Sequence, residues 1–210
     1  MKTRIDQLLV AKGLFDTRAR ARAAIEAGRV MVEGRTVAKP SEQVAEDAVI
    51  EAEAAHRWVG RGALKLDHAL NLWPVPVEGR VVLDVGASTG GFTEICLDRG
   101  AARVFAVDVG FGQMHPRVAG DPRVTNLERN DARDLTPAVI TAPPELIICD
   151  ASFISLAKVL PAALVLAAPN ADLVTLVKPQ FEQDGPGGVG KKGVVKDAAA
   201  QQGALAAAKA

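Results

Sequence analysis

The sequence predicts an α/β protein: a doubly wound, Rossmann-like parallel sheet preceded by a small α+β unit. Three observations predict it. Five apolar, β-branched runs alternate with helical stretches, at Val81–Leu83, Val104–Val107, Val124–Leu127, Leu146–Ile148 and Leu173–Val177. These runs are continuous rather than alternating, which means burial on both faces and therefore parallel strands. Charge is unevenly spread: residues 1–39 carry nine basic and four acidic side chains, while residues 40–60 carry one basic and five acidic. The overall balance of 25 Lys+Arg against 25 Asp+Glu thus hides a basic N-terminal unit. Finally, 210 residues, 49% hydrophobic and 24% charged, suffice for one to two domains with a real core and exclude wholesale disorder. With no net charge, any affinity for a polyanion must come from a local patch. The small unit is expected over residues 1–55, a linker over 56–60 and the sheet domain over 61–210.

In the small unit, Ile5, Leu8, Leu9 and Lys12 repeat at helical spacing, and Gly13 ends that helix. Asp16 or Thr17 caps a second helix that runs to Ala27 and stops at Gly28. Val30–Val32, a turn at Glu33-Gly34-Arg35 and then Thr36-Val37 read as a tight hairpin, and Val49-Ile50 supply a last short strand. Arg18 and Arg22 share a helix face, with Arg29 just past the helix end. Spacing alone fits a solvated basic face or a phosphate-contacting one.

Ligands of a doubly wound sheet sit at the carboxyl ends of its strands, where the unusual residues of the larger unit cluster. The first strand runs into Asp84-Val85-Gly86-Ala87-Ser88-Thr89-Gly90-Gly91-Phe92 and opens a helix. Its Gly-x-x-x-Gly-Gly spacing differs from the Gly-x-Gly-x-x-Gly of dinucleotide enzymes. Asp84 is expected at the strand end, facing a cationic ligand. S-adenosylmethionine, with an ammonium, a sulfonium and no phosphate, fits such a turn; a structural tight turn is the alternative. Gly86, Ser88, Gly90, Gly91 and Phe92 would line the same site. Asp108 ends the second strand 22 residues after Gly86, where a carboxylate can accept both hydroxyls of a ribose, a spacing that also suits NAD. Asp131 follows the third strand and reads either as an acceptor for an adenine amino group or as a surface turn.

Asp150 ends the fourth strand and Lys178 the fifth, and neighbouring strands lie about 5 Å apart, so the two side chains can meet. Lys65, on a helix entering this domain, is a third candidate. A ribose 2′-hydroxyl is a very weak acid, so its methylation benefits from a positioned base. A lysine serves when a nearby cation or desolvation lowers its pKa, as Lys65 beside Lys178 would, and in-line geometry contributes as well.

Two resemblances cover the chain. Arg4-Ile5-Asp6-Gln7-Leu8-Leu9, Thr17-Arg18 through Ile25–Val30, and Val32-Glu33-Gly34 resemble the small RNA-binding module of a ribosomal small-subunit protein, also found in pseudouridine synthases. This implies structured-RNA binding by Arg4, Arg18, Arg22 and Arg29 through shape and phosphates. Thr17 stands where that family usually has Ser and keeps the hydroxyl. Gly62–Leu66, the Asp84–Phe92 turn, Asp150–Phe153 and Val177–Glu182 resemble the FtsJ-like ribose 2′-O-methyltransferases, and the whole chain resembles the TlyA (haemolysin A) family. That resemblance implies methyl transfer from S-adenosylmethionine to a cytidine ribose in ribosomal RNA, with ribosomal subunits as partners. It implies Lys65, Asp150 and Lys178 as three members of a Lys-Asp-Lys-Glu catalytic set. The Glu, with the last strands of the sheet, is expected beyond Ala210, and Glu182 is not assigned to it. Gly60 and Ala63 stand where relatives tend to have Ser and Gly.

The sequence also argues against other classes. Cys96 and Cys149 are too few for a disulfide framework, and no metal cluster surrounds them. The start, Met1–Asp6, lacks the apolar core of a signal peptide. Leu160–Val177 is broken by Pro161, Pro169, Asn170 and Asp172 and cannot span a bilayer as one helix, so a soluble, cytoplasmic protein is expected. Gly185–Lys192 nearly matches a phosphate-binding loop but has Lys192 where Ser or Thr must hold magnesium; a glycine-rich loop beside the active site is the better reading. His56, His68 and His115 are scattered and carry no assigned chemistry. Phe153 is expected in the core, with stacking on an extruded base as the alternative. The rival functions are a non-catalytic RNA-binding assembly factor, opposed by intact Lys65, Asp150 and Lys178, and a membrane-acting haemolysin, opposed by the lack of a span.

Overall fold

The structure is a computed structural model that describes residues 1–182, 195 and 197–209. The glycine-rich segment 185–192 lies outside the described residues. The chain forms two units, Met1–Arg57 and Trp58–Ala210.

The first unit contains β1 (Lys2–Arg4), α1 (Ile5–Ala11), α2 (Arg18–Glu26), β2 (Val30–Val32), β3 (Arg35–Thr36), β4 (Gln43–Ala45) and β5 (Ile50–Ala52). Ile5, Leu8, Leu9, Ala21, Ala24 and Ile25 bury the facing sides of the two helices, and Val30 and Val37 close the core from the hairpin. Thr17 caps α2 by accepting from the Arg20 amide. Gly13 and Gly28 follow the two helices with φ of +70° and +69°, as helix-ending glycines do. β2 pairs with β3 and β5, all antiparallel. The sequence reading does not anticipate the second small sheet, β1 against β4. Both strands are three residues long and neither is strongly apolar, so no periodicity announces them.

The second unit contains α3 (Gly62–Leu72), β6 (Val81–Val85), α4 (Gly91–Asp98), β7 (Arg103–Asp108), α5 (Pro116–Ala119), β8 (Val124–Glu128), a 3₁₀ turn (Ala132–Asp134), β9 (Leu146–Cys149), α6 (Leu156–Val159), α7 (Pro161–Val165), β10 (Asp172–Thr175), α8 (Pro179–Glu182) and α9 (Ala198–Lys209). The five strands form one parallel sheet in the order β10-β9-β6-β7-β8. Alternation along each strand sends Val82, Val104, Leu146 and Ile148 to one face, against α3 and α4. Leu83, Val85, Phe105, Val107 and Ile147 go to the other, against α6 and α7. The order reverses between β6 and β9, so the crevice for a ligand opens at their carboxyl ends. β10 stops at Thr175, two residues before the predicted end of that strand.

The same alternation corrects the expectation for Asp84. Residue 84 shares the face of Val82 and points under α4, where it is wholly buried. Thr93 Oγ1 donates to its Oδ2 at 2.6 Å. Desolvation outweighs that bond and pushes the Asp84 carboxyl up to about 7. A carboxyl so placed faces the core rather than the carboxyl edge, and it ties the strand to the helix that follows the turn.

The folded chain therefore keeps a proton on Asp84 that the unfolded chain releases from about pH 4. Stability attributable to this site falls as pH rises from about 4 to 7 and levels off above that. Asp84→Asn, which retains an acceptor for Thr93, should raise the melting temperature by a few degrees at pH 8. The gain should shrink toward zero near pH 4.5; thermal unfolding across that range measures it.

Candidate active site

Two turns at the carboxyl edge define the site. After β6 the chain passes through Gly86, with φ of +84°, and an added Cβ there would stand 3.0 Å from both the amide nitrogen and the Cα of Ala151. Glycine is required on both counts. Gly90, at φ +86°, sits at the start of α4, and a Cβ on Gly91 would stand 3.0 Å from the Ala63 nitrogen, so α3 and α4 meet at their first turns.

The turn uses its own amides internally. Gly86 and Ala87 donate to the Val107 carbonyl, Gly90 to the Ala87 carbonyl, and Ser88 to Asp108 Oδ2 at 2.8 Å. Gly110 donates to the other Asp108 oxygen at 2.7 Å. Asp108 is thereby fixed at the end of β7 as a half-buried carboxylate on the cavity wall. The four turn amides, already satisfied and with a carboxylate beside them, offer little to a pyrophosphate. That disfavours the dinucleotide alternative left open by the Gly86–Asp108 spacing.

A cavity of about 500 Å³ follows, lined by Gly86, Ser88, Asp108, Asp131, Ser152 and Phe153 among others. Asp131 is engaged by Arg133, which donates to it from both its amide and its guanidinium, closest at 2.6 Å, and holds its carboxyl down at about 2. A second cavity of about 550 Å³ is lined by Arg61, Lys65, Thr89, Phe92, Ser152 and Lys178. Asp150, Ser152, Gly86 and Ser88 border both, so the two cavities adjoin.

Asp150 stands at that border between the two lysines. Lys65 Nζ lies 3.3 Å from Asp150 Oδ2, and Lys178 Nζ lies 2.5 Å from Oδ1. The second contact is an ion pair without a hydrogen bond to Oδ1, and Lys178 Nζ is bonded elsewhere. It donates to the Asp150 carbonyl at 3.0 Å, the Ala151 carbonyl at 2.9 Å and Ser152 Oγ at 2.8 Å. With three acceptors around three N–H bonds, Lys178 is an anchored ammonium with only 17% of its side chain exposed. Lys65 is 51% exposed, with one bond to Asp150, and opens toward the second cavity.

The structure thus brings together Lys65, Asp150 and Lys178, and separately gathers Gly86, Ser88, Asp108 and Asp131. Gly90 and Gly91 shape the turn, Phe92 lines the second cavity, and Asp84 belongs to the core. Phe153 departs from its expected core position: it is 90% exposed at a φ of +67°, with the Phe181 ring 5.2 Å away. Sequence reasoning assigned no role to Ser152 or Glu182. The Glu182 carboxylate accepts from the Leu156 amide and straps the segment after β10 to the one after β9. Both lie inside recognisable motifs, but nothing in their spacing reveals those partners. In the first unit Arg4 and Arg18 share Asp6, while Arg22 pairs with Glu26 at 3.9 Å and Arg29 with Glu53 at 3.2 Å. Among the described residues no cluster could hold a metal ion, and no helix is long and apolar enough to cross a membrane.

Comparison with known proteins agrees with this architecture. Residues 58–209 match the FtsJ-like methyltransferase family and residues 3–50 the S4 domain. The 16S/23S rRNA (cytidine-2′-O)-methyltransferase TlyA of Mycobacterium tuberculosis is 48% identical over 198 residues, covering 93% of this chain and 74% of that protein. Hemolysin A of Brachyspira hyodysenteriae is 35% identical, covering 92% of this chain and 81% of that one. A solved structure described as a hemolysin, from Streptococcus thermophilus, superposes with a TM-score of 0.73 at 37% identity, covering 98% of this chain and 75% of that chain. The chain belongs to the TlyA family, an S4 domain joined to an FtsJ-like methyltransferase domain.

Proposed function

We propose that this protein transfers a methyl group from S-adenosylmethionine to the 2′-hydroxyl of a cytidine ribose in ribosomal RNA, and that its S4 domain binds that RNA. The observation that carries the reading is the meeting of Lys65, Asp150 and Lys178 where the two cavities adjoin. The 48% identity to a relative named for this reaction supports it.

The first cavity fits the methyl donor. Its volume is in the range of small-molecule sites, its wall carries the Asp108 carboxylate for ribose hydroxyls, and the Gly86, Ala87, Ser88 and Gly90 amides of its turn are already bonded within the protein. Gly86, Ser88, Asp108 and Asp131 would hold the donor, which when bound supplies an electrophilic methyl carbon on a sulfonium. The second cavity then takes the acceptor nucleotide. Asp150 lies against the Nζ atoms of both Lys65 and Lys178. The set therefore works by placement and proton acceptance: Lys65 and Lys178 would orient the acceptor oxygen in line, and the proton that oxygen loses would pass to the Asp150 carboxylate between them and on to water.

Labelled methyl transfer to purified ribosomal subunits, followed by digestion to nucleosides, tests the reaction. Label in 2′-O-methylcytidine is the expected product; label in a base, or donor binding with no transfer to either subunit, would sink the reading. Lys178→Ala should lower transfer by roughly a hundredfold or more while donor affinity, measured by calorimetry, stays within about threefold. Asp108→Ala should show the reverse order of causes. Donor binding should weaken by about tenfold or more, and high donor concentration should recover much of the rate.

A further inference from the structure

Asp6 sits on the first turn of α1 with no exposed surface, yet its charge is met by two arginines of the basic face. Arg4 donates Nε to Oδ1 at 3.0 Å and Nη2 to Oδ2 at 3.1 Å, and Arg18 donates Nη2 to the same Oδ2 at 2.9 Å. Because both reach one oxygen, the two Nη2 atoms lie no more than about 6 Å apart. Like charges at that distance repel unless an anion stands between them. The carboxylate is mounted on fixed backbone, since the Ile5 amide donates to the Glu42 carbonyl and the Asp6 amide to the Pro40 carbonyl. Arg4 holds the Asp6 carboxyl down at about 2, with Arg18 adding to the effect, so the anion persists at any working pH.

Each guanidinium has five N–H groups. Arg4 uses two and Arg18 one on Asp6, and their side chains remain 37% and 53% exposed. The remaining donors suit an acceptor from outside, and two adjacent guanidiniums match the oxygens of a single phosphate. Arg22 and Arg29 differ, since each pairs with an exposed glutamate that water or a polyanion readily replaces.

We propose that Asp6 is a positioning residue of the RNA-binding face, holding Arg4 and Arg18 side by side as a fork for one backbone phosphate of structured RNA. This rests on the RNA-binding part of the proposed function and adds a mechanism to it. Its prediction has the opposite sign from simple electrostatics. Removing a negative charge beside two arginines makes the face more basic, which by charge alone tightens RNA binding.

The test measures binding of the full chain to purified bacterial ribosomal subunits over a range of salt concentrations. Asp6→Asn should bind about tenfold more weakly, with a salt slope shallower by about one, while S-adenosylmethionine affinity is unchanged. Arg18→Lys, which keeps the charge but not the fork, should lose a similar factor. Affinity of Asp6→Asn equal to or above wild type overturns the proposal. If Asp6→Asn does not fold, Arg18→Lys decides: weaker binding supports the fork, wild-type binding overturns it. Joint charge reversal, Arg18→Glu with Arg22→Glu, separates the two levels. No effect there means that this face does not bind RNA at all; loss there with undiminished Asp6→Asn binding defeats the fork alone.

Discussion

The turn after β6 crosses the backbone after β9 at van der Waals contact, and the site is arranged around that crossing. β6 and β9 are paired neighbours, with Val85 opposite Cys149 and the Asp150 amide bonded to the Val85 carbonyl. The chain leaves β6 for α4 on one face and leaves β9 for α6 on the other, so both exits begin from the same small area. Only a residue without a Cβ, at a positive φ, lets them pass, and Gly86 is that residue. The crossing leaves space on both sides and carries Asp150 to the border between them. β10, paired to the outer side of β9, then delivers Lys178 onto the Asp150–Ser152 backbone. Gly86, Asp150 and Lys178, distant in sequence, come together because three strand ends do, and α3 brings Lys65 to them.

Four aspartates show how far environment, rather than residue type, sets the role. Asp84 is buried with one hydroxyl partner and is driven toward neutrality. Asp6 is equally buried but carries two guanidiniums and stays ionised. Asp108 takes its partners from backbone amides and is fixed at the end of β7. Asp150 is half-buried between the Nζ atoms of Lys65 and Lys178, at the border of the two cavities. Burial without a cation makes a structural carboxyl; burial with one makes a scaffold for charge.

How much of this was legible in the sequence follows from the range of the signals involved. The five strands were readable because burial on both faces leaves continuous apolar runs, and the helices of the first unit because glycines and a capping hydroxyl punctuate them. The β1–β4 pair was not, since two three-residue strands leave no pattern. Lys65, Asp150 and Lys178 could be nominated from motifs and strand ends, but that Lys178 would turn its protons to carbonyls depends on atoms set by the fold. Asp84 was misplaced because its position at the strand end was read without the two-residue alternation, which sends it beneath α4. Phe153 was misplaced for a related reason: hydrophobicity predicts burial on average, while a left-handed residue on a tight turn projects outward.

The self-satisfied turn also governs what the first cavity rejects. At this edge a phosphate tail would find the amides of Gly86, Ala87, Ser88 and Gly90 already committed and the Asp108 carboxylate close by. Such a wall discriminates by withholding hydrogen bonds from the tail rather than by adding them to the ring.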